Sequence, residues 1–100
     1  MSKIPRNLQG ILWSRNISNL DLQRDKNYII HQVLMYGSLK DISWLKQTYK
    51  KNYIKNIFIN EPRKLYTESG FNFVKNYLLN ISEQLNKAYY VKNLPRNIRS

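Results

Sequence analysis

Residues Tyr28 to Tyr49 read YIIHQVLMYGSLKDISWLKQTY, two apolar stretches at helical spacing divided by a single glycine. In the first, Ile30, Val33 and Leu34, flanked by Tyr28 and Ile29, recur with the period of a helix that buries one face. Gly37 stands where a helix ends on a residue in the left-handed region, and it is expected to stop this helix. Ser38 followed by Asp41 resembles a capping box, a serine accepting from the first turn and an acid reaching back. The chain should therefore restart as a helix over about Leu39 to Tyr49, burying Ile42, Leu45 and Tyr49 with Trp44 at the edge.

Outward from this pair, Asp21 is the expected N-cap of the first helix. A tight turn at Lys50 to Asn52 leads to a third helix with Tyr53, Ile54, Ile57 and Phe58, ended by Pro62. Thr67 or Ser69 is placed to cap a fourth and longest helix, whose stripe is Phe71, Val74, Leu78, Ile81 and Leu85. No useful strand alternation occurs. The expected architecture is an all-α orthogonal bundle of four to five short helices, one domain over residues 11–85. Residues 1–10 read as an extended basic arm, and Ile11-Leu12-Trp13 as an apolar plug tucked against the core. Residues 86–100 read as a mobile basic tail containing tyrosine.

The chain has 100 residues, near the usual size of one domain, and 42% of them are hydrophobic, enough for a core. It has no cysteine, which excludes disulfides and thiolate metal sites and fits a reducing cytoplasm. No apolar run approaches the roughly 18 residues of a membrane span. Met1 to Gly10 is not followed by the apolar region of a signal peptide. Seventeen Lys and Arg against six Asp and Glu give a net charge of +11. Such a field suits nucleic acid, an acidic protein or anionic lipid, although an AT-rich gene would also enrich lysine.

Catalytic chemistry is thinly represented. A single histidine, His31, cannot build a histidine metal cluster, and the six acids do not converge. Three glycines make neither a P-loop nor a dinucleotide fingerprint, so neither metal nor cofactor is expected. Arg24-Asp25 and His31, with the first and last seven residues apart, resemble the Arg-polar-x4–6-His signature of HEPN ribonucleases, and Arg24 and His31 would share a helix face. The plainer reading is a solvent-facing histidine near a chance arginine.

The cations carry more. Lys46 and Lys50, and Lys51 and Lys55, are like-charge pairs four apart, each unfavourable by a few tenths of a kcal/mol unless an anion lies opposite. With Arg63 and Lys64, and with Tyr49, Tyr53 and Tyr66 interleaved, they form a candidate nucleic-acid surface. Asn52 to Asn60 is loosely like a recognition helix, although a solvated lysine face fits equally well.

Leu12-Trp13, Leu20-Asp21, Tyr28-Ile29-Ile30, Val33-Leu34, Tyr36-Gly37, Asp41, Trp44-Leu45 and Tyr49, with Pro62-Arg63 and Phe71-Asn72-Phe73, resemble an uncharacterised family of small bacterial all-α proteins. The resemblance spans about Leu12 to Leu79, mostly core and cap positions, with Ser14 and Lys50 departing from the family's acid and glycine. Lysine at position 50 would be strained if that turn needed a left-handed residue. The resemblance implies an antitoxin-side protein encoded beside a nucleotidyltransferase toxin of the abortive-infection type. Its expected role is to bind and neutralise that toxin without catalysis, with operator DNA as an additional partner. The expected counter-charges are Lys87, Lys92, Arg96 and Arg99, and the expected anchors Tyr89 and Tyr90. Deleting residues 86–100 should then abolish neutralisation and leave the domain folded. The alternative is a stand-alone DNA- or RNA-binding module.

Overall fold

In the computed structural model, which describes residues 4–92, helix α1 runs Lys26–Tyr36, α2 Leu39–Thr48, α3 Lys51–Asn60 and α4 Glu68–Phe73. Helix α1 is the centre of the bundle. Ile29 to Leu34 are six consecutive buried residues, so no face of its middle turns is left to solvent. Helices α2 and α3 each pack on α1, and Phe71, Val74, Leu79, Tyr90 and Val91 complete the core. The protein is a small all-α bundle, with no strand among the described residues.

The α1–α2 joint forms as the sequence demands, by a different route. Both halves of the Ser38–Asp41 capping box are made, Asp41 N to Ser38 Oγ at 3.2 Å and Ser38 N to Asp41 Oδ2 at 3.0 Å. Gly37, however, is extended at φ −77° and ψ 156°, not left-handed. Space is what it supplies, because a Cβ there would lie 2.6 Å from the Val33 carbonyl oxygen. Lys50 is likewise extended at φ −66°, so lysine replaces glycine there without strain. Asp21 does not cap α1. Its carboxylate accepts from the Gln23 and Arg24 amides of the preceding turn, and Asp25 is the N-cap residue.

The fourth helix is shorter than its stripe. After Phe73 the chain widens into a π turn over Val74–Leu78, with Leu79 N donating to Val74 O at 2.9 Å. The extra residue in that turn rotates Leu79, rather than Leu78, into the core. Asn80, at φ 53°, then reverses the chain. Lys75 closes the reversal, its carbonyl accepting from Ile81 N and its ammonium donating to Ile81 O at 3.0 Å. Ile81 is therefore buried, and Leu85 half-buried, outside any helix.

Both ends depart from the expected arm and tail. Arg6–Gly10 is a 3₁₀ turn that buries Leu8. Leu12 is buried as expected of the plug, whereas Trp13 stays 57% exposed. At the other end, Lys87–Tyr89 is a 3₁₀ turn, and an isolated parallel bridge joins Tyr66 to Val91. Tyr66 N donates to Tyr90 O, and Lys92 N to Tyr66 O, so residues 87–92 are part of the fold.

Candidate nucleic-acid interface

The junction between α2 and α3 begins where α2 ends on Thr48, whose hydroxyl donates to the Trp44 carbonyl. Tyr49 then buries its ring, donates its hydroxyl to Leu22 O at 2.7 Å and stacks on Tyr53 at 5.8 Å. Burial, and then the neighbouring Tyr53, holds its phenol neutral far above the ordinary tyrosine range. These contacts fix the turn and leave its cations outward. Lys46, Lys50 and Lys51 are exposed and Lys55 half-buried, while Ile42, Leu45, Ile54 and Ile57 of the same two helices are buried.

The start of α3 is electrostatically one-sided. Its first turn has no acid and begins at Lys51, and its N-cap, Lys50, makes no side-chain hydrogen bond. The first amides of a helix lack internal partners and carry the positive end of the helix dipole. Two lysines at that end add to the potential instead of neutralising it. Ion pairs among the described residues join Arg15 and Arg24 to Asp25, and Lys87 to Glu68; Lys46, Lys50, Lys51, Lys55 and Lys64 take part in none.

The six expected residues do not form one cluster. Lys46, Lys50, Lys51 and Lys55 gather at the α2–α3 joint. Arg63 and Lys64 follow the other end of α3, a ten-residue helix about 15 Å long. Arg63 turns to α1, donating to Asn27 Oδ1 at 3.2 Å with its guanidinium 5.5 Å from the Tyr28 ring centroid. Of the interleaved tyrosines, Tyr66 is wholly buried and unable to stack on a ligand.

The expected partner-binding set is also divided. Tyr90 is buried among Phe58, Tyr66 and Phe71, donates to Phe58 O at 2.6 Å and has its phenol pushed up to about 12 by burial. It is a core residue, not an anchor, because the bridge at Tyr66 turns it inward. Lys87 is paired with Glu68 at 2.6 Å. Tyr89 and Lys92 are exposed, while Arg96 and Arg99 lie outside the described residues.

His31 is neither solvent-facing nor beside Arg24. Its ring is fully buried, with Nε2 2.8 Å from Glu61 O and Nδ1 2.7 Å from the Tyr66 hydroxyl. A carbonyl only accepts, so Nε2 carries the proton and Tyr66 donates to Nδ1. Burial lowers the histidine pKa from 6.5 to about 4, which keeps the ring neutral. Arg24 precedes α1 and is held by Asp25 and the Asn19 carbonyl. Both imidazole nitrogens are engaged and shielded, which fits a core role and not phosphodiester cleavage.

Sequence reasoning missed a second aromatic and basic region, in which Trp13 meets Tyr36 and Arg63 meets Tyr28. The two unpaired residue types were visible, but their partners are 23 and 35 positions away in the chain.

The fold and these surfaces define a small basic helical protein. Its sequence matches the profile of a family of unknown function, DUF6922, over residues 8–58. That is just over half the chain, from the buried Leu8 through most of α3, and the chain belongs to this family. Neither the curated proteins nor the solved structures compared with it give a significant match. No helix among the described residues is long and apolar enough to cross a membrane, and no group of acids and histidine there could hold a metal.

Proposed function

We propose that this chain is a non-enzymatic cytoplasmic protein that binds nucleic acid through the α2–α3 junction. The observation that carries this reading is the start of α3, where Lys50 and Lys51 sit at an amide-rich helix end with no acid in its first turn. Lys46 and Lys55 extend the same field. Backbone phosphates are the natural counterpart of such a surface, and the net charge of +11 favours their approach. The measurement is binding of labelled DNA and RNA as a function of salt. Affinity should fall linearly on a log–log plot, and Lys51→Glu with Lys55→Glu should flatten the slope by at least about one. Unchanged affinity and slope in that double variant would refute the reading.

A second reading is an antitoxin that neutralises a cognate nucleotidyltransferase-type toxin, with operator DNA as an additional partner. Support for a protein partner comes from Phe73, Tyr77 and Tyr89, all exposed, with the first two rings 5.8 Å apart. Interfaces draw much of their affinity from such aromatic anchors. Co-purification of the product of a neighbouring nucleotidyltransferase gene, lost on Tyr77→Ala with Tyr89→Ala, is the expected result. A toxin that co-purifies equally with the variant would exclude these anchors.

A further inference from the structure

Two segments distant in sequence lie along α1 and leave a strip of rings between them. On one side Gln32 Nε2 donates to the Ile11 carbonyl, and Ser14 donates to the Tyr28 hydroxyl from its amide at 3.1 Å and its Oγ at 2.7 Å. On the other side Asn27 donates to Glu61 O at 2.8 Å and the Tyr36 hydroxyl to Leu65 O at 3.4 Å. Tyr28, Gln32 and Tyr36 are four apart and so share a helix face. Each end of this face carries a ring with a partner. Trp13 meets Tyr36 edge-on at 4.8 Å, while the Arg63 guanidinium covers Tyr28. Lys92 places its ammonium 3.5 Å from the Tyr36 hydroxyl.

We infer that Trp13, Tyr28, Tyr36, Arg63 and Lys92 form a platform for a single-stranded nucleic acid. Trp13 offers a broad exposed ring held in place by Tyr36 and available for stacking. Arg63 and Lys92 carry no ion pair to a carboxylate among the described residues, so phosphates would meet unopposed charge. Tyr28 and Tyr36, eight residues apart on α1, are offset by about 12 Å along the helix axis, roughly three stacked base steps. A duplex keeps the faces of its bases covered, whereas a single strand presents them to aromatic rings. Rings for bases beside cations for phosphates favour this ligand over an acidic peptide, which would use the charges and leave Trp13 idle.

The inference deepens the nucleic-acid reading and rests on it, at a surface distinct from the α2–α3 junction. In a Trp44→Phe background Trp13 is the sole tryptophan. Its fluorescence should be quenched by an oligothymidylate of roughly a dozen nucleotides and not by the corresponding duplex. Trp13→Ala should weaken single-strand affinity about tenfold while leaving the circular dichroism of the exposed-site variant unchanged. Arg63→Gln with Lys92→Gln should lower the salt slope by about one. Absence of quenching, or wild-type affinity in Trp13→Ala, would overturn the platform. The Lys51→Glu, Lys55→Glu variant measured in parallel separates the two readings. Loss of single-strand binding there with none in Trp13→Ala refutes the platform alone, and no binding of any nucleic acid by the wild type refutes both.

Discussion

Lowering the pH should destabilise this protein through one buried ring. His31 is the chain's only histidine, and its neutral form satisfies two partners at once. A proton added to Nδ1 would face the Tyr66 hydroxyl, which would have to turn and accept, stranding its own hydrogen in the core. Burial is the main reason the folded pKa falls to about 4 from 6.5, with Arg63 adding a smaller repulsion. The unfolded chain therefore binds the proton first as pH falls. The stability contribution is complete above about pH 6.5, is lost on the way down to about pH 4, and levels off below. That gap, at about 1.4 kcal/mol per pH unit, amounts to about 3 kcal/mol, of which about 2 is lost by pH 5. Against the few to fifteen kcal/mol of a typical domain this is a large share. Asp21 and Asp25 also have lowered values, set mainly by backbone amides and by Arg24 respectively. Their stabilising contributions persist above the ordinary aspartate value of 3.8 and are lost below it, which leaves the region above about pH 5 to His31. Urea unfolding across that region, in the wild type and in His31→Gln, measures the loss. The Cε1–H resonance of the single imidazole reports the titration independently. A resonance that titrates near 6.5 in the folded protein, or an equal loss of stability in both proteins, would refute the reasoning.

Gly37→Ala should destabilise by about 1–3 kcal/mol in chemical unfolding, because the new methyl meets the Val33 carbonyl and Asp41 Cβ rather than because of φ. A neutral result would show that the joint relaxes freely. Deleting residues 86–100 should cost several kcal/mol and broaden or abolish the cooperative transition, since Tyr90 and Val91 are each 2% exposed. Truncation is thus a stability experiment and not a clean test of partner binding. Phe58→Ala should cost about 3–5 kcal/mol, as its ring touches His31, Tyr66, Phe71 and Tyr90, each within 6.0 Å between centroids. A thermal melt with an unshifted midpoint would contradict that packing.

The sequence by itself determined the features that depend on near neighbours. The period of Ile30, Val33 and Leu34, the Ser38–Asp41 box and the stop at Pro62 act within about one helical turn, and the helices they specify are present. The inward face of α3 follows from the same period, through Ile54, Ile57 and Phe58. Tertiary structure decided the rest. The stripe through Ile81 and Leu85 continues in sequence, but the π turn and Asn80 end the helix so that Leu79 fills the core. His31 has the same local spacing whether it is a surface or a core residue; Glu61 and Tyr66, 30 and 35 positions away, make it a buried donor and acceptor. Tyr90 is identical in type to its exposed neighbour Tyr89, and only the bridge to Tyr66 turns it inward. Local patterns set helices because their hydrogen bonds close within four residues. The choice between core and working surface depends on partners that the folded chain brings together.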